Sequence, residues 1–390
     1  MNKKCSLNCE LAFAVALYKA TADTLPSTSN LIICPYSVES VLACFLPGTE
    51  GEIHANLLRL LCPNGRSVKK LCETLLSKKA NGFAQANAVF YDQNAALTEA
   101  YRDALKSCQD IHFVSVAFAT GPQQAIDAVN SFLHRHSPWT VHDVLPHLHS
   151  DEVQESALIV LSTINFSGAW DLPFQPLSTF NRVFHCADGT ELFIPFLNSE
   201  ELDEFRSYNV DAEKNELSPH DPKVLILDIR GKKYSVMFLL PEDTPGSLGQ
   251  LERRLAATAS VLVEWRKRSL ISEIKVALPK FRISTNTDLI PCTKALGLTE
   301  MYQPSSSMSK MFGNRARTKV ADFAQNTMLD VDEHGITAST VTMMRPMYTS
   351  NFSPEFEANR PFMLIIWDNN ADFPLFIARI TNPSPTVSND

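Results

Sequence analysis

Ten histidines are the first place to look for chemistry, and five of them, His134, His136, His142, His147 and His149, fall within sixteen residues. Imidazoles bind zinc, but zinc ligands come in recurrent tight spacings, often with cysteine or carboxylate partners. Gaps of two and five residues without such partners describe a surface helix and its following loop, so no metal is expected. Spacing alone likewise assembles no Ser, His and Asp constellation. The stretch with most to say supplies no reactive group of its own. It begins Asp330-Val-Asp-Glu-His-Gly335 and continues from Ile336 to Met344 with neither charge nor proline. Arg345, Pro346, Met347, Tyr348, Thr349 and Ser350 follow, and a proline-broken, polar run then leads to Arg360-Pro361-Phe362. Val, Thr and Ile favour the pleated conformation, Gly335 allows a free choice of φ, and Pro346 and Pro354 hold the distal part extended. Such a segment can live as a loop or as a strand.

The elements that must position it follow from periodicity. Residues 8–21 repeat helically, Ser37 to Phe45 follow Pro35 as a second helix, and Thr98 to Cys108 (Thr98 as N-cap) and Pro122 to His134 read as two more. From residue 155 strands dominate. Ala157 to Phe166 is an apolar run suited to burial on both faces, and Val224 to Ile229 pairs with Tyr234 to Leu240 around Gly231. Ile274, Val276 and Leu278 alternate before Pro279, and Pro361 to Trp367 and Leu375 to Ile380 close the chain. Helices early and strands late give an α+β class.

Composition narrows the partners. A chain of 390 residues, 45% apolar, can bury a large core, and no internal repeat divides it. The net charge of -8 argues against a nucleic-acid or heparin surface, since phosphate binding needs a basic stripe. Lys69-Lys70 and Lys78-Lys79 read as solvated helix faces. Nine cysteines (Cys5, Cys9, Cys34, Cys44, Cys62, Cys72, Cys108, Cys186, Cys292) are an odd number without paired spacing, which suits free thiols in a reducing compartment. The basic start and the run Leu11 to Leu17 imitate a secretory signal only faintly, with no clean cleavage site. The expectation is a chain cytosolic by synthesis, with unconventional release left open. The acceptor patterns Asn165-Phe-Ser167 and Asn351-Phe-Ser353 are discounted, the first because it lies in an apolar strand.

The run from 330 to 362 resembles the hinge and reactive-centre loop of the serpin family. That pattern is an acidic pair and a glycine (Asp332, Glu333, Gly335), small residues, a scissile bond, and a distal signature, here Phe356, Ala358, Asn359, Pro361 and Phe362. Other blocks resemble the family in order: Asn8, Phe13, Ala14, Leu17 and Tyr18; Asn30 to Ser37 with Gly48-Thr-Glu-Gly51; Ile164 to Trp170 with Phe174. Val236 to Pro241, Leu278-Pro-Lys-Phe281, Leu296-Gly-Leu298 and Pro374 to Arg379 complete the set. The resemblance implies one serpin domain over 1–390, with a hinge and loop at 333–356 and a polar tail at 384–390. Helices would pack around a large mixed or antiparallel sheet with smaller sheets beside it.

The resemblance also implies a suicide inhibitor rather than an enzyme, with no cofactor. A target serine protease would attack the loop and form an acyl-enzyme, and the loop would insert into the central sheet before deacylation. The partner is then that protease, with no nucleic acid or membrane, and the chain is expected to be a monomer. Family spacing places the scissile bond sixteen residues after Glu333, between Thr349 and Ser350. Thr349 suits an elastase-like pocket; Tyr348 or Met347 is the alternative bait, Tyr348 for a chymotrypsin-like enzyme, and Arg345 for a trypsin-like one. In the inserted form Ile336, Ala338, Thr340, Thr342 and Met344 would face inward and Thr337, Ser339, Val341, Met343 and Arg345 outward. Ile336 stands where the family usually has Thr or Ser. In the sheet-opening region Ser37 is retained with Trp170, but Cys34, Ser162 and Gln325 replace the usual set, with a Ser162 to Gln325 hydrogen bond open to them. A non-inhibitory carrier or chaperone is the other class, and it would be expected to carry charge or proline in the hinge.

Overall fold

A computed structural model describes residues 3–63, 83–105, 111–118, 122–136, 157–199, 203–210, 218–312, 318–336 and 355–384. Two sheets organise them. Across the first, a mixed sheet, run Ile111–Val116, Phe83–Asp92, Ala157–Phe166 and Lys319–Val331, with Phe281–Asp288 also paired to the last. Two short strands, Gly335–Ile336 and Gly168–Ala169, join where Lys319–Val331 ends. The second sheet runs Leu31–Ile33, Phe373–Ile380, Phe362–Asp368, Tyr234–Leu240, Lys223–Asp228, Asp203–Tyr208, Leu270–Pro279, Glu191–Asn198 and Phe180–His185. Glu355–Glu357 lies parallel to Leu270–Pro279.

The central strands are mostly apolar because both faces are covered. Tyr234–Leu240 and Phe362–Asp368 bury every residue. On one face of Ala157–Phe166, Leu158, Val160 and Ile164 join the main core, while Ile159 and Leu161 meet Val129 and Phe132 of the Pro122–His136 helix on the other. The helix Pro35–Phe45 is buried along its whole length; Pro35 opens it, where a missing N–H costs nothing.

The expected order of helices first and strands later is corrected, although the α+β class stands. Strands Phe83–Asp92 and Ile111–Val116 come early, and helices Ser247–Ala257 and Val261–Arg268 come late. Phe83–Asp92 is hard to read because alanine favours helices and carries no strand signal. Tertiary burial decides it: Ala86, Ala88 and Phe90 face the Pro122–His136 helix, and Val89 faces the main core. Thr98 does cap its helix, accepting the Tyr101 N–H at 3.2 Å, but the helix is Glu99–Ala104, shorter than the expected run to Cys108. Its last turn tightens as the Leu105 N–H reaches the carbonyls of both Tyr101 and Arg102.

Candidate functional site

The proximal end of the loop begins where two parallel strands part. Lys319–Val331 lies against Ala157–Phe166 in a register that ends at Met328 opposite Asn165. Beyond that point Gly335–Ile336 occupies the gap, with Val331 opposite Ile336 on one side and Gly168 opposite Ile336 on the other. Ile336 is fully buried there. A Cβ on Gly335 would stand 2.1 Å from the Gly168 carbonyl oxygen, so close backbone approach demands glycine.

The backbone polar groups of the turn before Gly335 are paired, while the buried His334 Nδ1 has no hydrogen-bond partner among the described residues. Asp332 Oδ1 accepts the His334 N–H at 2.7 Å and the Gly335 N–H at 3.0 Å. The three carbonyls 332 to 334 are held from one segment: Trp170 Nε1 donates to Asp332, the Phe174 N–H to Glu333 and the Trp170 N–H to His334. Glu333 itself is buried and accepts from Thr179 Oγ1 at 2.7 Å and from Lys280 Nζ at 2.8 and 3.1 Å. Burial alone would raise this carboxyl, but the hydrogen bonds from Lys280, its backbone and Thr179 outweigh it and hold the group below its usual range.

Midway along the same seam lies a buried polar chain. Gln325 sits opposite Ser162; its Oε1 accepts the Cys34 N–H at 2.8 Å and its Nε2 donates to the Cys34 carbonyl at 3.1 Å. Nε2 also reaches Ser162 Oγ, at a long 3.4 Å. Ser37 Oγ donates to Asn87 Oδ1 at 2.9 Å, which commits its single proton, so Ser162 is the donor in the 2.6 Å contact between the two hydroxyls. The protons therefore run in one direction, Gln325 to Ser162 to Ser37 to Asn87. The expected Ser162 to Gln325 bond is present but weak, and the amide's main partner is the backbone of Cys34. Burial pushes the Cys34 thiol up to about 12, which makes it inert.

The distal end is built differently. Glu355–Glu357 runs parallel to Lys275–Ala277, the Ala358 N–H donates to the Ala277 carbonyl at 2.9 Å, and Phe356, Ala358 and Phe362 are fully buried. Arg182 bridges to Glu357 at 2.9 Å and to Glu355 at 3.7 Å, and Lys223 Nζ donates to the Glu355 carbonyl at 3.2 Å. Arg360 grips the Pro241 carbonyl through Nη2 at 2.8 Å.

Thus Cys34, Ser37, Ser162 and Gln325 come together at the seam, and Trp170, Glu333, Gly335 and Ile336 at its end. The remaining hinge positions, Thr337, Ala338, Ser339, Thr340, Val341 and Thr342, lie outside the described residues. So do the bait residues Arg345, Met347, Tyr348, Thr349 and Ser350. Five contributors escaped the sequence reading: Asn87, Thr179, Arg182, Lys223 and Lys280. Only Lys280 carried a signal, as part of the Leu278-Pro-Lys-Phe281 block. Among the described residues no His, Cys, Asp and Glu group is placed to hold a metal, and no helix is long and apolar enough to cross a membrane.

Comparison with known proteins gives a consistent answer. Alpha-1-antiproteinase 2 of Equus caballus is 27% identical over 388 residues, covering 95% of this chain and 86% of that protein. Serpin48, a highly specific serpin of the insect Tenebrio molitor, superposes with a TM-score of 0.81 at 20% identity, over 98% of this chain and 99% of the other. Thyroxine-binding globulin in complex with thyroxine superposes equally, with a TM-score of 0.81 at 19% identity, over 98% of this chain and 100% of that one. The family model described as serpin (serine protease inhibitor) matches residues 9–383, and the chain belongs to the serpin family.

Proposed function

We propose that this chain is a monomeric suicide inhibitor of serine proteases, not itself an enzyme. The target cuts the loop, the acyl-enzyme forms, and the hinge draws the loop into the seam between Ala157–Phe166 and Lys319–Val331. The observation that carries this reading is the strand Gly335–Ile336, already paired at the top of that seam, from which the uncharged, proline-free run to Met344 continues. Extending it opens the register below and exchanges one strand neighbour for another, with Ala338, Thr340, Thr342 and Met344 following Ile336 inward. Each added ladder hydrogen bond contributes about 1 kcal/mol, and burying Met344 about 1.5–3 kcal/mol.

The bait is Thr349, with Ser350 on the leaving side, which directs the inhibitor to an elastase-like enzyme; Tyr348, Met347 and Arg345 are the alternatives. Synthesis in the cytosol fits the free thiols. A second reading, a carrier of small ligands, takes its support from the likeness to thyroxine-binding globulin with thyroxine bound. The hinge composition favours inhibition. Incubation with pancreatic elastase, chymotrypsin and trypsin followed by denaturing electrophoresis separates the two. A covalent band at the summed mass, strongest with elastase, is expected; cleavage by all three without such a band would mark a non-inhibitory member.

A further inference from the structure

We propose that the cavity lined by the strands Asp203–Tyr208 and Lys223–Asp228 binds a small organic monocarboxylate with an apolar body, its carboxylate held by the side edge of the Arg206 guanidinium. The cavity measures about 230 Å³ and shares no residue with the hinge clamp, the seam or the distal anchor. Leu172, Ile226, Leu227 and Ile271 supply apolar wall. Ile271 is 59% exposed although large and apolar, and it is the cross-strand partner of Arg206. The two therefore stand side by side on one face of the sheet, with Ile271 at the cavity's mouth.

Arg206 is the group in this cavity that lacks a partner. Its Nε and Nη2 atoms are buried, and neither has a hydrogen-bond partner among the described residues. Asp228 Oδ1 stands 3.6 Å from Nη2, an ion pair but too long for a hydrogen bond. Nε and Nη2 form the side edge of the guanidinium, which grips both oxygens of a carboxylate through two parallel N–H bonds. A buried charged donor left unbonded is costly, and a carboxylate on this edge removes the cost. Rotation of Ile271 about χ1 opens the edge to it. Burial first, and the charge of Arg206 second, pull the neighbouring Arg266 guanidinium down to about 10, so a second cation adds to the attraction for an anion. The rim sets the rest of the ligand. Lys232 is taken up by Asp171 at 3.4 Å, and Glu204 faces Glu273 across the strands, so a second carboxylate on the ligand would be repelled. Pockets for drug-sized ligands run to about 300–1,000 Å³, and this smaller one suits a body of roughly ten non-hydrogen atoms. Phenylacetate and octanoate have that size.

The test titrates the full chain with phenylacetate and with octanoate, followed by ligand-observed NMR, beside the uncharged phenylacetamide and the dicarboxylate octanedioate. A dissociation constant on the order of 1 mM or tighter is expected for monocarboxylates this small. Phenylacetamide and octanedioate should each bind at least about tenfold more weakly than the matching monocarboxylate. Arg206→Gln should weaken both monocarboxylates by about tenfold or more, since it removes the paired N–H bonds and the charge together. Ile271→Trp changes an exposed position, so the fold is kept, and it should weaken both by narrowing the mouth. The assignment is overturned if the wild-type chain binds neither monocarboxylate at ten times that concentration, or if phenylacetamide or octanedioate binds equally well. Wild-type affinity in the Arg206→Gln or the Ile271→Trp variant would overturn it as well. None of these outcomes depends on whether the chain inhibits a protease.

Discussion

At its proximal end the loop is held by two residues in a strand gap and a charged clamp; at its distal end it runs into a strand buried at every residue. The clamp joins Glu333 to Lys280 and Thr179, with Lys280 41% exposed, whereas the distal end seats Phe356, Ala358 and Phe362 in the core. Polar clamps of this kind are worth little more than they cost in desolvation and side-chain entropy, but the two buried phenylalanines are each worth about 1.5–3 kcal/mol, with Ala358 adding less. The difference implies a direction. On the mechanism proposed above, cutting the chain between them lets the proximal arm move while the distal arm stays. Gly335–Ile336 is already a strand in the right place to lengthen, and Phe362–Asp368 is already in the middle of a sheet.

The largest expected effect comes from breaking the mobile side. Ile336→Arg places a charge in a fully buried, strand-lined position, a cost of several kcal/mol when unpaired. Covalent complex should fall more than tenfold while cleavage continues, measured as the ratio of the two bands on denaturing gels. Persistence of the complex would mean that Ile336 does not stay inward in the inserted form.

A smaller effect is expected at the seam. Gln325→Ala leaves the buried Cys34 N–H and carbonyl without their side-chain partner, at about 1–3 kcal/mol. The urea midpoint should fall accordingly, and the sheet should open more readily; an unchanged midpoint would show that the amide contributes nothing.

The clamp itself should be worth about 1 kcal/mol because Lys280 is half in water. Its pH dependence has a definite sign. The folded-state pKa of Glu333 is lowered, so its contribution is fully present above the ordinary value of 4.5 and is lost as the pH falls through the lower folded-state value. The difference in urea stability between the wild type and Glu333→Gln should therefore narrow at acidic pH. A gap that widened on acidification would contradict the lowered pKa.

Least of all should follow from Arg182→Ala on the fixed side. Its ion pairs to Glu355 and Glu357 are partly exposed, and the three buried anchors remain. A stability loss below about 1 kcal/mol is expected. A much larger loss would show that charge, not apolar burial, holds the distal arm.

What could be read from the sequence was local. The Asp332, Glu333 and Gly335 turn, the uncharged run behind it and the distal Phe-x-Ala-Asn signature all lie within about thirty residues, and each rests on backbone or burial rules that act over a few positions. The partners of those residues were not readable, because the chain folds them in from far away. Thr179 is 154 residues from Glu333, Arg182 is 175 from Glu357, and Ser37 is 50 from Asn87. Asn87 sits in an alanine-rich strand whose composition points to a helix, so neither its strand nor its role in the seam showed in advance. Gln325 was placed at the seam by resemblance, but its bidentate hold on Cys34 depends on a strand-to-helix distance that no pattern encodes.

The central claim is that the proximal arm gains a strand's worth of pairing when the loop is cut. The direct measurement is the melting temperature before and after a single cleavage near Thr349-Ser350. Insertion on the order of ten kcal/mol, from burial and ladder bonds together, should raise it by about 10–20 °C, at roughly 1–2 °C per kcal/mol for a chain of this length. A melting curve that does not move after complete cleavage would contradict insertion, and with it the mechanism proposed for this protein.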